Sequence, residues 1–143
     1  MTTPAQTLEQ KVKGLIEALH AADADGIARF FEPDAKAYFL QRPGNWSGAE
    51  LIGAGFAKVV AEKGRSWTID RMITDEARHA VVFEWTQLEP GVPTLHGVDW
   101  VVFAKDTLRF KEIRSYFATR SDPASARQQL LDFDYGGRGY PRS

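Results

Sequence analysis

Midway through the chain the apolar pattern changes period, and that change limits the folds open to it. Up to Lys63 the longer segments carry apolar residues every three or four positions, which is one face of a helix. From Ser66 onward β-branched and aromatic residues alternate with polar ones, which is the pattern of strands with two distinct faces. Leu8, Val12, Leu15, Ile16 and Leu19 predict a helix over 4–22. A short second helix follows Asp23, its N-cap, with Ile27, Phe30 and Phe31 on one side, and Pro33 stops it. Residues 35–40 read as a short strand and QRPGNWSG as a loop. A third helix is predicted over 49–63, with Ser47 as its cap, Glu50 in the capping box and Leu51, Ile52, Phe56, Val59 and Val60 as its apolar face. Gly53 and Gly55 weaken that helix by roughly 1 kcal/mol each relative to alanine, which implies close packing there. Strands are predicted over 66–74, 79–88, 95–104 and 107–119, with turns at 89–93 and 105–106. Helices followed by a meander of antiparallel strands make an α+β layout. A short helix capped by Ser121 or Asp122 opens the last segment, and a glycine-rich tail with Phe133, Tyr135, Arg138 and Tyr140 closes it. That tail can close a pocket, reach across a dimer or lie on the surface.

The length of 143 residues suits a single domain over 1–143, with the tail from about 120, and can bury a core without disulfides or metals. No cysteine is present, which excludes disulfides, thiolate nucleophiles and cysteine metal sites and fits a cytoplasmic chain. A net charge of −1 gives no basic footprint for nucleic acid. The start, MTTPAQTLEQKVKG, lacks the charged-then-apolar pattern of a signal peptide, and no apolar run approaches the roughly 18 residues of a membrane span. His20, His79 and His96 are scattered without metal-ligand spacing, His20 at a helix end and His79 in a solvated turn. Gly136, Gly137 and Gly139 lack the strand and helix of a phosphate loop. No cofactor and no metal are expected.

Alternation assigns the strand faces. Val81, Phe83, Trp85 and Gln87 share one face, as do Gly97, Asp99, Val101 and Phe103, and Ile113, Ser115 and Phe117. The opposite face carries Glu84, Trp100, Arg114 and Tyr116, a mix of aromatics and charge that suits a homodimer interface. Asp99, in HGVDWVVF, is the anomaly. A carboxylate among apolar side chains is costly, so burial should raise its pKa and fit it for work as general acid, general base or hydrogen-bond donor. The plainer alternative seats Asp99 at the strand's edge, paired with Arg114 or a backbone amide. His96 is the second catalytic candidate: alternation puts it on the other face, and only a bulge near Gly97 would bring it round. Phe39, Trp46, Phe83, Trp85, Gln87, Val101, Ser115 and Phe117 are the candidate ligand-binding residues. Tyr38 then points away from the pocket, and Trp46 either covers it or anchors its loop.

The order of elements, with FFEPDAKAYF, the glycine-bounded helix, FEWTQ, GVDWVVF and KEIRSYF, resembles the nuclear transport factor 2-like superfamily over roughly Leu8 to Thr119. This is the cone-shaped α+β barrel of ketosteroid isomerases, SnoaL-like polyketide cyclases and limonene-epoxide hydrolases. The resemblance implies N-terminal helices packed on a curved, mostly antiparallel sheet around an apolar pocket. It places Asp99 where the isomerases carry the acidic donor of their oxyanion hole, and near a catalytic aspartate of the cyclases. The isomerases' tyrosine falls near Leu15 and their general base near Phe39, and neither matches. The epoxide hydrolases' last aspartate falls near Ser115, and Glu84-Trp85-Thr86 stands where they have Arg-x-Asp.

Two functions remain open on these residues. One is a cofactor-independent isomerase, cyclase, dehydratase or hydrolase acting on a small apolar molecule through a buried carboxyl. The other is a non-catalytic ligand-binding or dimeric structural protein of the same fold.

Overall fold

In the computed structural model, residues 4–39, 46–117, 134 and 136–139 are described. They form helices α1 (Pro4–His20), α2 (Ala24–Ala28) and α3 (Ala49–Lys63), and strands β1 (Phe31–Phe39), β2 (Trp46–Ser47), β3 (Ser66–Asp75), β4 (Ala80–Glu89), β5 (Val92–Phe103) and β6 (Phe110–Phe117). The strands make one six-stranded sheet in the order β2-β1-β6-β5-β4-β3. Its pairs are antiparallel except β1 with β6, which run parallel. The result is the α+β cone expected, with the sheet curved and left open between β2 and β3. None of the described helices is long and apolar enough to cross a membrane.

Both layers bury their apolar stripes against each other. Leu8, Val12, Leu15 and Leu19 of α1 and Ile52 of α3 meet Val81, Phe83, Val101, Phe103 and Ile113 from the sheet's inner face. Phe31, Phe103 and Phe110 pack ring on ring at the narrow end, with centroids 5.2 and 4.7 Å apart, and are almost wholly buried. Burying such a ring stabilises by about 1.5–3 kcal/mol. Gly53 lies where α3 crosses α2, and a Cβ there would stand 2.5 Å from the Ala24 carbonyl oxygen, so the expected close approach is real. Gly64 ends α3 in the left-handed region, φ 66°, which spares the backbone the penalty that a Cβ would bring.

Several local expectations are corrected. Phe31 begins β1 instead of closing α2, whose N-cap is Asp23 as read: its carboxylate accepts from the Gly26 amide at 3.1 Å. Ser47 does not cap α3, because the sheet recruits it: it pairs with Lys36 and accepts from Lys36 Nζ, while Gly48 takes the N-cap position without a side-chain bond. Leu51 is exposed, not on the buried stripe. The turn at 89–93 shrinks to Pro90-Gly91, with Glu89 and Val92 already paired. His79 is not in open solvent: its Nδ1 is buried and has no hydrogen-bond partner among the described residues. The expected helix beginning at Ser121 or Asp122 lies outside the described residues.

Candidate functional site

The wide end of the cone holds a cavity of about 340 Å3 between the helices and the sheet. Leu15, Ile16 and Leu19 of α1 and Phe56 and Val59 of α3 form its helical wall. Of the residues chosen from the sequence, Phe39, Trp46, Phe83, Trp85, Gln87, Asp99, Ser115 and Phe117 line it. Trp46 is half-buried, with its ring edge-on to Phe39 and Phe56 at centroid distances of 5.0 Å each, so it is part of the wall. Val101 lies on the inner face but is fully buried below the cavity and does not line it.

Asp99 sits opposite Phe83 on β4 and Ser115 on β6, and register alone fixes its neighbours. The Trp85 Nε1–H donates to Asp99 Oδ1 at 2.8 Å, and the Ser115 hydroxyl donates to the same oxygen at 2.7 Å. Oδ2 has no hydrogen-bond partner among the described residues. Burial pushes the carboxyl up to about 6, against the pull of the Ser115 and Trp85 bonds, which hold the anion. Asp99 is therefore neither an edge residue nor a partner of Arg114, which bonds Glu112 on the other face.

Gly97 explains how the indole reaches the carboxyl. It pairs with Trp85 across the β4–β5 ladder, and a Cβ on it would lie 2.3 Å from Trp85 Cζ2. The absent side chain is the seat of the indole, which lies across it toward Asp99. The register runs unbroken through Gly97, so no bulge turns His96 inward. His96 is on the outer face, exposed, with Nδ1 3.0 Å from the Thr86 hydroxyl, and the Thr86 hydroxyl donates to Asp70 at 2.6 Å. His96 does not meet Asp99 in the cavity.

Arg65 and Trp67 also line the cavity, and sequence reading passed over both. The backbone N–H of Trp67 donates to His20 Nε2 at 3.0 Å, and the two rings stack, which ties the end of α1 to β3. Trp67 carried a usable signal, since it alternates with Ile69 on a predicted strand; Arg65 carried none, because its partner Glu89 is far along the chain. Among the described residues no group of three or more histidines and acids is placed to hold a metal.

On the outer face Tyr38 is buried, opposite Phe39 as expected. The Arg138 guanidinium lies 5.9 Å from its ring centroid. Arg138 also bonds Glu112, which accepts from Arg114 Nε at 2.8 Å. Burial alone would raise the Glu112 carboxyl, but the Arg138 and Arg114 bonds and charges outweigh it and hold it below its ordinary value. The described part of the tail thus docks on the back of the sheet through Arg138.

The family profile of the SnoaL-like domain matches residues 12–113. The chain belongs to this family. No curated protein matches it. A protein of unknown function with a cystatin-like fold from Methylobium petroleophilum PM1 is 29% identical, with a TM-score of 0.90 over 97% of this chain and 93% of that one. A computationally designed 17-OHP binder shares the fold at 16% identity, with a TM-score of 0.68 over 82% of this chain and 95% of that one. A provisionally assigned polyketide cyclase from Xanthomonas campestris pv. campestris does so at 15% identity, with a TM-score of 0.64 over 81% and 93%. At those identities the likeness is one of fold.

Proposed function

We propose that this SnoaL-like domain is a cofactor-independent enzyme that moves a proton on a small apolar organic molecule, with Asp99 as the general base. The observation that carries this reading is the Asp99 carboxyl held through Oδ1 by two neutral donors inside an apolar cavity. Both donors favour the anion, and a value of about 6 leaves the carboxyl mostly ionised at pH 7. This differs from the isomerase-type role, where a protonated acid donates a hydrogen bond. Positioned in a mostly apolar cavity, an ionised carboxylate of raised pKa is a stronger base than an ordinary one. Proton abstraction beside a carbonyl, leading to isomerisation or ring closure, is the chemistry that a single base supports best. The likeness to a provisionally assigned cyclase points the same way.

A reporter of base catalysis tests the reading. 5-Nitrobenzisoxazole opens to a coloured nitrile phenolate when one carbon-bound proton is removed. Turnover should rise with pH through about 6 and vanish in Asp99→Asn, with the fold checked by circular dichroism. Equal turnover in the variant would remove Asp99 from the chemistry.

The second reading, a binding protein without catalysis, draws on Asp99 being the sole acid among the described cavity-lining residues and on the designed 17-OHP binder of this fold. Ligand affinity unchanged by Asp99→Asn, with no turnover in either form, supports it. We also propose that two copies meet through the outer face, where Trp100 and Tyr116 stand 44% and 40% exposed beside Glu84 and Arg114. Trp100→Glu should shift a dimer to monomer in sedimentation velocity.

A further inference from the structure

Arg65 stands at the opposite end of the cavity from Asp99. It directly precedes β3, beside the tight Pro90-Gly91 turn, and its side chain is only 26% exposed. Its Nε–H donates to Glu89 Oε1, and the Glu89 side chain is 13% exposed. Glu89 does not line the cavity, whereas Arg65 does. The carboxylate thus fixes one edge of the guanidinium from behind. Among the described residues the Nη1 and Nη2 donors have no acceptor. A partly buried guanidinium fixed on one edge presents the other as a preorganised fork for an oxygen acceptor.

Glu89 pairs with Val92, and Asp99 lies further along the same strand. Between Val92 and Asp99, β5 rises roughly 20 Å at about 3.3 Å per residue. Trp67, Leu95 and Trp85 line that interval, with Gln87 the other polar side chain there. The cavity lining therefore runs from Arg65 to Asp99 through a mostly apolar middle in which Gln87 is the polar exception.

We propose that Arg65 binds an oxygen acceptor, a carbonyl or carboxylate, at one end of an elongated apolar substrate whose reacting end lies against Asp99. The proposal deepens the reading of Asp99 as base and rests on it for the reacting end alone. Glu89 offsets the guanidinium charge, so the site asks for an acceptor oxygen and not for net negative charge. An uncharged carbonyl satisfies it as well as a carboxylate does.

Rod-shaped fluorescent probes test this. Diphenylhexatriene has no acceptor; its propionic acid and the methyl ester of that acid add one, charged and uncharged. The ester-to-parent affinity ratio should fall about tenfold in Arg65→Met, the scale of a hydrogen bond to a charged group, and the acid should behave like the ester. In Asp99→Asn the ratio should stay within twofold of wild type. If leaving Glu89 unpaired unfolds Arg65→Met, the double variant Arg65→Met, Glu89→Gln removes the ion pair as a unit and carries the same test. An unchanged ratio in a folded Arg65 variant overturns the proposal, and so does a ratio that falls in Asp99→Asn instead. Failure of all three probes to bind also overturns it. Turnover of 5-nitrobenzisoxazole that survives Asp99→Asn, with the Arg65 dependence intact, sinks only the catalytic reading and leaves the acceptor site standing.

Discussion

On the inner face of the sheet Asp99 meets an indole N–H and a hydroxyl, both neutral; on the outer face Glu112 meets two guanidinium groups. Both acids sit on strands of the same β5–β6 pair, and both are partly buried. Desolvation is the largest influence on each, and it pushes both carboxyls up. What separates them is the partner. Neutral donors leave Asp99 raised to about 6, whereas full positive charges bring Glu112 below its ordinary value. Burial makes a carboxyl tunable, and the charge of its partner decides whether it becomes a base poised near neutrality or a fixed anion that holds Arg138.

The largest way to break this contrast is to remove the inner carboxylate. Asp99→Asn should lower turnover of 5-nitrobenzisoxazole at least about 100-fold, the lower bound for a positioned general base, while Glu112→Gln should leave it within twofold. Stability against pH sharpens the same contrast. A folded-state value of about 6 against 3.8 means that the folded protein holds the proton more tightly, so stability falls as pH rises from 4 through 6. That difference amounts to about 3 kcal/mol. Urea unfolding at pH 4 and pH 7 should show the loss in wild type relative to Asp99→Asn. The depressed Glu112 value works in the opposite sense: its contribution is present above its ordinary value and is lost as pH falls through the folded one. Relative to Glu112→Gln, wild type should therefore lose stability on acidification.

Gly97→Ala attacks the positioning of the inner site. Its Cβ has no room beside the indole, so overpacking should cost about 1–3 kcal/mol by urea unfolding. The displaced indole also releases the carboxyl, whose NMR-titrated pKa should move above about 6. Ser115→Ala is the mildest break: loss of one hydroxyl donor should raise the Asp99 pKa while costing about 1 kcal/mol. A downward shift in either variant would mean that these groups do not hold the anion.

The inner face was legible because alternation is a property of neighbours along one strand. Trp85, Asp99 and Ser115 could be put on one side from their spacing alone. That the Trp85 nitrogen and the Ser115 hydroxyl converge on a single oxygen depends on the cross-strand register, and register is set by turns whose lengths the sequence left uncertain. His96 shows the limit from the other side: Gly97 reads as a bulge signal, yet its missing side chain is used as space for an indole and leaves the ladder straight. Ser47 reads as a cap, yet the sheet edge claims it first. Arg65 was invisible for a simpler reason, since a lone arginine at a helix–strand junction acquires meaning only when a distant glutamate is folded against it.

The parallel pairing of β1 with β6 gives the site a place in time. Ala37 and Ile113 come from opposite ends of the sheet-forming chain, so the first strand synthesised waits for the last before its ladder can close. Contacts this remote in sequence slow folding, because their loop entropy is lost before they reward it. Ser115 lies on that last strand. During synthesis the helices and the β3–β5 meander leave the ribosome first, and Asp99 gains its hydroxyl donor only when the final strand arrives.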